Sequence, residues 1–263
     1  MKKSVLAACF NRLVAVFSVL LGSSVVYPGR RYRHHSLSFS QDGEDGILER
    51  LFERQATGFY VDVGSHHPQR FSNTYRLYLR GWSGINIDPL PGSKARFDAL
   101  RNRDINLEIG ISDVPGLLTY FSFQEPALNT FSPEIASSIS SRLLAKEKIH
   151  VSRLSDVLSR HLPDGQQIDF LSIDVEGLDL QVLKSNDWDC FRPKYVLAEA
   201  LGMRDVHEVT KTQLHGFMRS IGYSFFAKTV HTLFYVDCAP SMIEECLVLH
   251  DAAPLKSLSI QEA

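Results

Sequence analysis

Four short β-branched or aromatic runs each close on a carboxylate: FYVD at Asp62, INID at Asp88, FLSID at Asp174 and YVLAE at Glu199. Runs of this length, separated by longer stretches of helical spacing, mark an α/β chain with a mainly parallel sheet. Strands of such a sheet are buried on both faces, so an unpaired acid inside one is costly. Ligands of these sheets bind beyond the strands' carboxyl ends, which is where acids at those positions can act.

The other segments fill in a doubly wound pattern. SQDGEDGILERLF is a helix with Ser40 or Asp42 as its cap and Ile47, Leu48, Leu51 and Phe52 as its buried stripe. SNTYRLYLRGW is a short helix capped by Ser72 and stopped by Gly81, and GSKARFDALRNR is another. INLEIGISD reads as the third strand and GLLTYFSFQ as an added strand near an edge. Residues 124–147, serine-rich and weakly patterned, read as a loop plus a helix able to cover a site. VSRLSDVLSRHL, LDLQVLKSNDW and TKTQLHGFMRSIGY are helical, and SFFAK with TLFYVD forms an antiparallel pair. About five strands thus alternate with helices before a final hairpin.

The chain has 263 residues, 44% hydrophobic and 22% charged, enough for one catalytic-size domain. A net charge of −2 provides no basic field and argues against nucleic acid as a partner. Cys9, Cys190, Cys238 and Cys246 form no C-x-x-C pair, which argues against zinc knuckles and a dense disulfide scaffold and leaves a reducing compartment as the default. The layout is a segment at 1–37, a main domain at 38–251 and a tail at 252–263. Residues 4–26 are apolar but broken by Asn11 and Arg12, and GRRYRHH follows them. An interfacial amphipathic helix, a spanning anchor or uncleaved signal, and a cleaved signal all stay open. A cytoplasmic chain, with peripheral membrane association through residues 4–26 as an open reading, is the expectation. Oligomeric state has no sequence signal.

Gly64 lets the backbone turn tightly and lets a ligand approach without a Cβ in the way. The stretch G-S-H-H-P-Q lacks the G-x-G-x-x-G spacing of a dinucleotide site, which disfavours NAD(P) and FAD and with them an oxidoreductase. Asp88 is placed to accept hydrogen bonds from two ribose hydroxyls, or simply to cap the turn before Pro89. A nucleoside is indicated, without a pyrophosphate. Asp113 follows the third strand, near the base of such a nucleoside, although Asp-Val-Pro-Gly is also a plain turn. Asp174 and Glu176 could orient and deprotonate a hydroxyl or hold a divalent metal, or serve as helix-start acids. Glu199 is a third acid for the same crevice. His66 and His67 are a base, a ligand or simply polar loop residues; neighbouring residues of an extended stretch point opposite ways, so at most one faces the cofactor, and His66 is the choice as pocket wall. No G-x-S-x-G elbow or P-loop is present.

Taken in order, SQDGEDGIL, GFYVDVGSHHPQRFSNTYRLYLRGWSGINIDP, ISDVPG and IDFLSIDVEGLDLQVLKS resemble the FkbM family of S-adenosylmethionine-dependent methyltransferases. The resemblance runs from residue 40 to about residue 237. It implies a class I methyltransferase fold, a seven-stranded Rossmann-like sheet with a terminal antiparallel hairpin. It also implies O-methyl transfer to a sugar, glycolipid or related hydroxyl-bearing acceptor. By that resemblance Asp62 and Gly64 belong to the methionine-binding loop, Asp88 to the ribose contact and Asp113 to the adenine side. Asn73 falls beside the loop, Gln41 reaches the cofactor's amino-acid end, and Asp174 and Glu176 face the methyl group. Ser65 stands where members of the family often carry alanine. Transfer from a sulfonium chiefly requires positioning the acceptor oxygen and removing its proton, to Asp174 or Glu176 or with help from a divalent ion such as magnesium. A non-catalytic descendant that binds a membrane or partner is the remaining alternative.

Overall fold

The structure is a computed structural model that describes residues 37–139, 141–202 and 205–239, with the backbone of 26–27 and 30–31. The chain divides into two units, residues 1–38 and 39–263. In the first, Val26–Tyr27 pairs antiparallel with Arg30–Arg31. The expected amphipathic segment at 4–26, apart from Val26, and the tail at 252–263 lie outside the described residues. No helix among the described residues is long and apolar enough to cross a membrane.

The second unit is built on a seven-stranded sheet. Its parallel strands are β1 (Phe59–Val63), β2 (Ser83–Ile87), β3 (Ile105–Leu107), β7 (Phe170–Ile173) and β8 (Tyr195–Glu199). β9 (Tyr223–Lys228) and β10 (Thr232–Asp237) form the antiparallel hairpin, and β10 pairs with β8. The order is β9-β10-β8-β7-β1-β2-β3. Strand order reverses between β1 and β7, and the crevice at that reversal is where a doubly wound sheet receives its ligand.

Every residue of β1, β7 and β8 is buried, because helices cover both faces. Side chains alternate across the sheet. Val61, Val63, Leu171, Ile173, Val196 and Ala198 face one layer, which contains α5 (Leu154–His161), α6 (Asp179–Lys184) and α8 (Gln213–Ser220). Tyr60, Phe170, Tyr195 and Leu197 face the other, with Trp82, Leu77 of α2 (Tyr75–Leu79) and Leu48 of α1 (Glu44–Leu51). The remaining helices among the described residues are α3 (Ser93–Leu100), α4 (Pro133–Ser138) and α7 (Val206–Val209). Of the expected α1 stripe, Leu48 and Phe52 are buried, and Ile47 and Leu51 pack partly against the same cluster.

Three local expectations change. INLEIGISD is not one strand: β3 stops at Leu107, and Gly110–Ile111 (β4) joins a second, three-stranded sheet with β5 (Gly116–Phe123) and β6 (Leu143–Ser152). At the break Glu108 turns its carboxylate to the Gly92 and Lys94 amides at the start of α3. Residues 124–147 do contain a helix, α4, but their last part is strand. β6 is mostly exposed on both faces and so shows no alternating apolar signal; its long antiparallel ladder with β5 holds it. Finally, α1 is preceded by Gly43 without a side-chain cap, while Ser40 accepts the Asp45 amide at 3.2 Å. Ser72 does act at the start of α2, accepting the Tyr75 amide at 3.1 Å.

Candidate active site

Beyond the carboxyl ends of β1, β2 and β7 lies a cleft of about 750 Å³, open in part to solvent. Gln41, Gly64, His66, Phe71, Asp88, Asp174 and Glu176 line it from the main sheet's side. Ile109, Ile111, Tyr120, Asn129 and Thr130 line it from the added sheet and the chain around a 3-10 turn at Pro126–Leu128. Segment 124–138 therefore supplies a wall, which weak patterning alone could not locate.

The floor of the cleft depends on Gly64. Its N–H donates to Ile87 O at 2.9 Å, and the Asp174 N–H donates to Val63 O at 2.9 Å, so three strand ends are laced together. With φ at 81°, Gly64 sits in the left-handed region, and a Cβ there would lie 1.7 Å from the Asp174 carbonyl oxygen. The close approach this glycine permits is that of the chain leaving β7.

Three non-glycine residues among those described have positive φ: His66 (54°), Phe71 (56°) and Glu176 (52°). All three line the cleft. Left-handed backbone at an ordinary residue costs about 1–2 kcal/mol, so this is strain gathered at one site. His66 rather than His67 faces the cleft; His67 accepts the Gln69 and Arg70 amides through Nδ1 and builds the turn. Burial, reinforced by the positive charge of Arg70, pushes His66 down to about 4, so its imidazole is neutral at physiological pH.

Asp88 is buried, with its oxygens accepting the His66 amide at 2.8 Å and the Leu90 amide at 2.9 Å. Each carboxylate oxygen retains acceptor capacity, so the cleft-facing edge can still take hydroxyl donors. Burial raises Asp88 to about 6.

Asp62 lies elsewhere. It shares the face of Tyr60 by the two-residue alternation and points away from the cleft, where its carboxylate accepts Thr74 Oγ1 at 2.9 Å. Beneath it is a buried network: Arg101 donates to Asp104 (2.8 Å), to Tyr60 (2.6 Å) and to Thr74 (3.0 Å), and both Arg101 and Asp104 side chains are fully buried. Burial raises Asp62 to about 6, opposed by the Arg101 charge. The acid inside the first strand is thus accommodated by a hydrogen-bonded polar layer.

Other expected residues take varied positions. Gln41 lines the cleft. Ser65 is buried behind it, and its hydroxyl has no hydrogen-bond partner among the described residues. Asn73 Nδ2 donates to Ser172 Oγ at 3.1 Å and does not line the cleft. Asp113 sits in the turn into β5, where Ser112 Oγ donates to it at 3.3 Å; Ile109, Ile111 and Tyr120 occupy the wall on that side.

At the far end of the cleft the acids converge. Asp174, Glu176 and Glu199 each offer an oxygen, and these lie within 4.8 Å of one another. Asp174 is reached by solvent through the cleft mouth yet is walled by protein. Burial, then the charge of Asp62, raises it to about 7. Burial, then Asp174, raises Glu176 to about 7 and Glu199 to about 11. Glu199 therefore holds its proton at neutral pH, and its Oε2 is buried with no hydrogen-bond partner among the described residues. Two further acids escaped the sequence reading. Asp179, at the start of α6, accepts the Glu199 amide at 3.3 Å and is raised by burial and by Asp174. Glu44, held by Thr229 Oγ1 at 2.6 Å and Thr232 Oγ1 at 3.2 Å, adds its charge near Asp174. The GED triplet and the acid three residues after Glu176 were visible, but only folding brings them together.

The Methyltransferase FkbM domain description matches residues 62–225. The chain belongs to this family. The match runs from the end of β1 to the start of β9, and therefore takes in the strand ends that carry Asp88, Asp174, Glu176 and Glu199. Methyltransferase sdnD of Sordaria araneosa is 32% identical over 170 residues, which are 51% of this chain and 63% of that protein. The chain thus spans less than two thirds of the length of that curated relative. Among solved structures, the METTL16 methyltransferase domain is similar with a TM-score of 0.42 and 13% identity, covering 73% of this chain and 65% of that one. The C-terminal domain of precorrin-6Y C5,15-methyltransferase from Rhodobacter capsulatus has a TM-score of 0.39 and 12% identity, covering 77% and 92%. The FkbM domain here is a class I methyltransferase fold, with the seven-stranded order and antiparallel hairpin described above.

Proposed function

We propose that the protein transfers a methyl group from S-adenosylmethionine to a hydroxyl oxygen of a small molecule or glycan, with a sugar, glycolipid or related natural product as the acceptor class. Family membership supports the cofactor. The observation that carries the oxygen-acceptor reading is the pair Asp174 and Glu176, raised to about 7 at the cleft's end. A general base is most effective when its pKa lies near the working pH. The net charge of −2 supports an acceptor other than nucleic acid.

In this reading Asp88 receives the ribose hydroxyls, the apolar wall of Ile87, Ile109 and Ile111 takes the base, and Gln41 lies toward the amino-acid end. The acceptor oxygen attacks the methyl carbon in line, the carbon–sulfur bond breaks with its electron pair going to sulfur, and the hydroxyl proton passes to Asp174 or Glu176. Asp174, Glu176 and Glu199 also fit a divalent ion such as magnesium by the closeness of their oxygens, with Glu199 giving up its proton when the ion binds. When bound there, such an ion would lower the acceptor hydroxyl's pKa.

The test is transfer of isotope-labelled methyl from S-adenosylmethionine to free sugars, glycosides and glycolipids, with Asp174→Asn alongside. Labelled methyl ethers should form, and the variant should lose on the order of 100-fold in rate with cofactor affinity retained. Labelling of amines or carbon centres with every hydroxyl acceptor silent would refute the reading.

A further inference from the structure

Gln41 faces the cleft, but the next residue, Asp42, lines a second and more open groove together with Val206, Thr229, Val230 and His231. The groove lies against the acid cluster: Thr229 Oγ1 is hydrogen-bonded to Glu44 at 2.6 Å, and Thr232, next to His231, bonds the same carboxylate at 3.2 Å. Its polar element is defined. His231 Nδ1 is 2.7 Å from Asp42 Oδ2, and the same oxygen accepts the His231 amide at 3.1 Å. These two bonds to one carboxylate fix the orientation of the His231 ring. A hydroxyl, which both donates and accepts, can hydrogen-bond the other ring nitrogen, Nε2. Its apolar element is the pair Val206 and Val230, 52% and 63% exposed. Asp205 and Lys228 complete the polar part of the lining, and a concave, partly apolar surface with a few polar groups is the usual make-up of a small-molecule subsite.

Resting on the hydroxyl-methylation reading above, we propose that this groove seats the body of the methyl acceptor: an amphiphilic hydroxylated molecule whose apolar arm lies on Val206 and Val230 and whose second hydroxyl hydrogen-bonds the His231 ring. The hydroxyl to be methylated then points over Gln41 and Asp42 toward Asp174. His231 is a specificity residue in this arrangement, and the proton removed in the reaction goes to the carboxylates.

The test uses the full chain saturated with S-adenosylhomocysteine and titrated with n-octyl β-D-glucoside below its micelle-forming concentration. Glucose serves as the control without an apolar arm, and the His231 ring and the Val206 and Val230 methyl groups are followed by NMR. Saturable shifts of all three are expected with the glucoside. Val206→Ser with Val230→Ser should weaken binding by about tenfold, and glucose should bind more weakly still. Asp42→Ala, which removes the acceptor that orients the His231 ring, should narrow the preference for the glucoside over its deoxygenated analogue. Unchanged affinity for S-adenosylhomocysteine verifies that the variants are folded. The proposal is overturned by no saturable shift at these residues, by shifts confined to the exposed Leu143 and Leu144 of β6, or by valine variants that bind as the parent does. Methyl transfer measured in the same samples separates the two ideas. Groove binding without transfer counts against hydroxyl methylation of this acceptor, whereas transfer without groove shifts counts against the groove.

Discussion

Gly64→Ala should damage both stability and the site, by an amount that can be worked out in advance. The left-handed backbone costs alanine about 1–2 kcal/mol. The new Cβ would stand 1.7 Å from the Asp174 carbonyl oxygen, half the 3.4 Å at which ordinary contact begins. That oxygen is backbone, laced to β1 through the Asp174 amide, and cannot swing aside as a side chain would. Overpacking of this kind adds about 1–3 kcal/mol, for a total of about 2–5 kcal/mol. Gly43→Ala is the matched control, since Gly43 has φ of 89° with nothing within 4 Å of its would-be Cβ. It should lose only the backbone component of about 1–2 kcal/mol. Urea unfolding of the parent and both variants gives the two losses, and titration with S-adenosylhomocysteine reports whether the strand end has moved. A Gly64→Ala loss no greater than that of Gly43→Ala, with cofactor affinity intact, would refute the idea that Gly64 serves the β1–β7 approach.

Other expectations concern charge. Methyl transfer should rise with pH through about 7, because Asp174 and Glu176 must be ionised to accept a proton and both titrate there; a flat profile between about pH 5.5 and 8 would exclude them as the base. Between about pH 5 and 7 the unfolding free energy should fall as pH rises. The folded acids Asp62, Asp88, Asp174, Glu176, Asp179 and Glu199 titrate above their unfolded values, so the native state binds the extra protons there. The depressed His66, His67 and His215 oppose this but are fewer. A urea midpoint that climbs over that interval would contradict the balance. Asp104→Asn breaks a fully buried ion pair and should cost about 3–5 kcal/mol, read from thermal or urea unfolding. Asp88→Ala should weaken S-adenosylmethionine binding by at least about tenfold in calorimetric titration, and unchanged affinity would remove Asp88 from the ribose contact.

The α/β class, the seven strands and the terminal hairpin were legible because doubly buried strands carry dense apolar runs and helices carry a 3.6-residue period. The second sheet was not, because β6 is exposed on both faces and held by backbone pairing, which leaves no mark on residue type. Within the site, acids at strand ends announced Asp88, Asp174, Glu176 and Glu199. The same rule put Asp62 at the ligand, where the two-residue alternation instead sends it to Thr74 and the layer around Arg101.

By itself, then, the sequence determined what is local and periodic: which segments are strands, which end on an acid, and that a single glycine replaces a dinucleotide fingerprint. Tertiary structure alone decided what depends on chain segments far apart. Glu44, Asp174, Asp179 and Glu199 come from four separate elements, and each raises or modifies the proton affinity of another only because the sheet brings their strand and helix ends together. Electrostatic coupling falls with distance in space and not along the chain, so a shared pKa has no signature in sequence order.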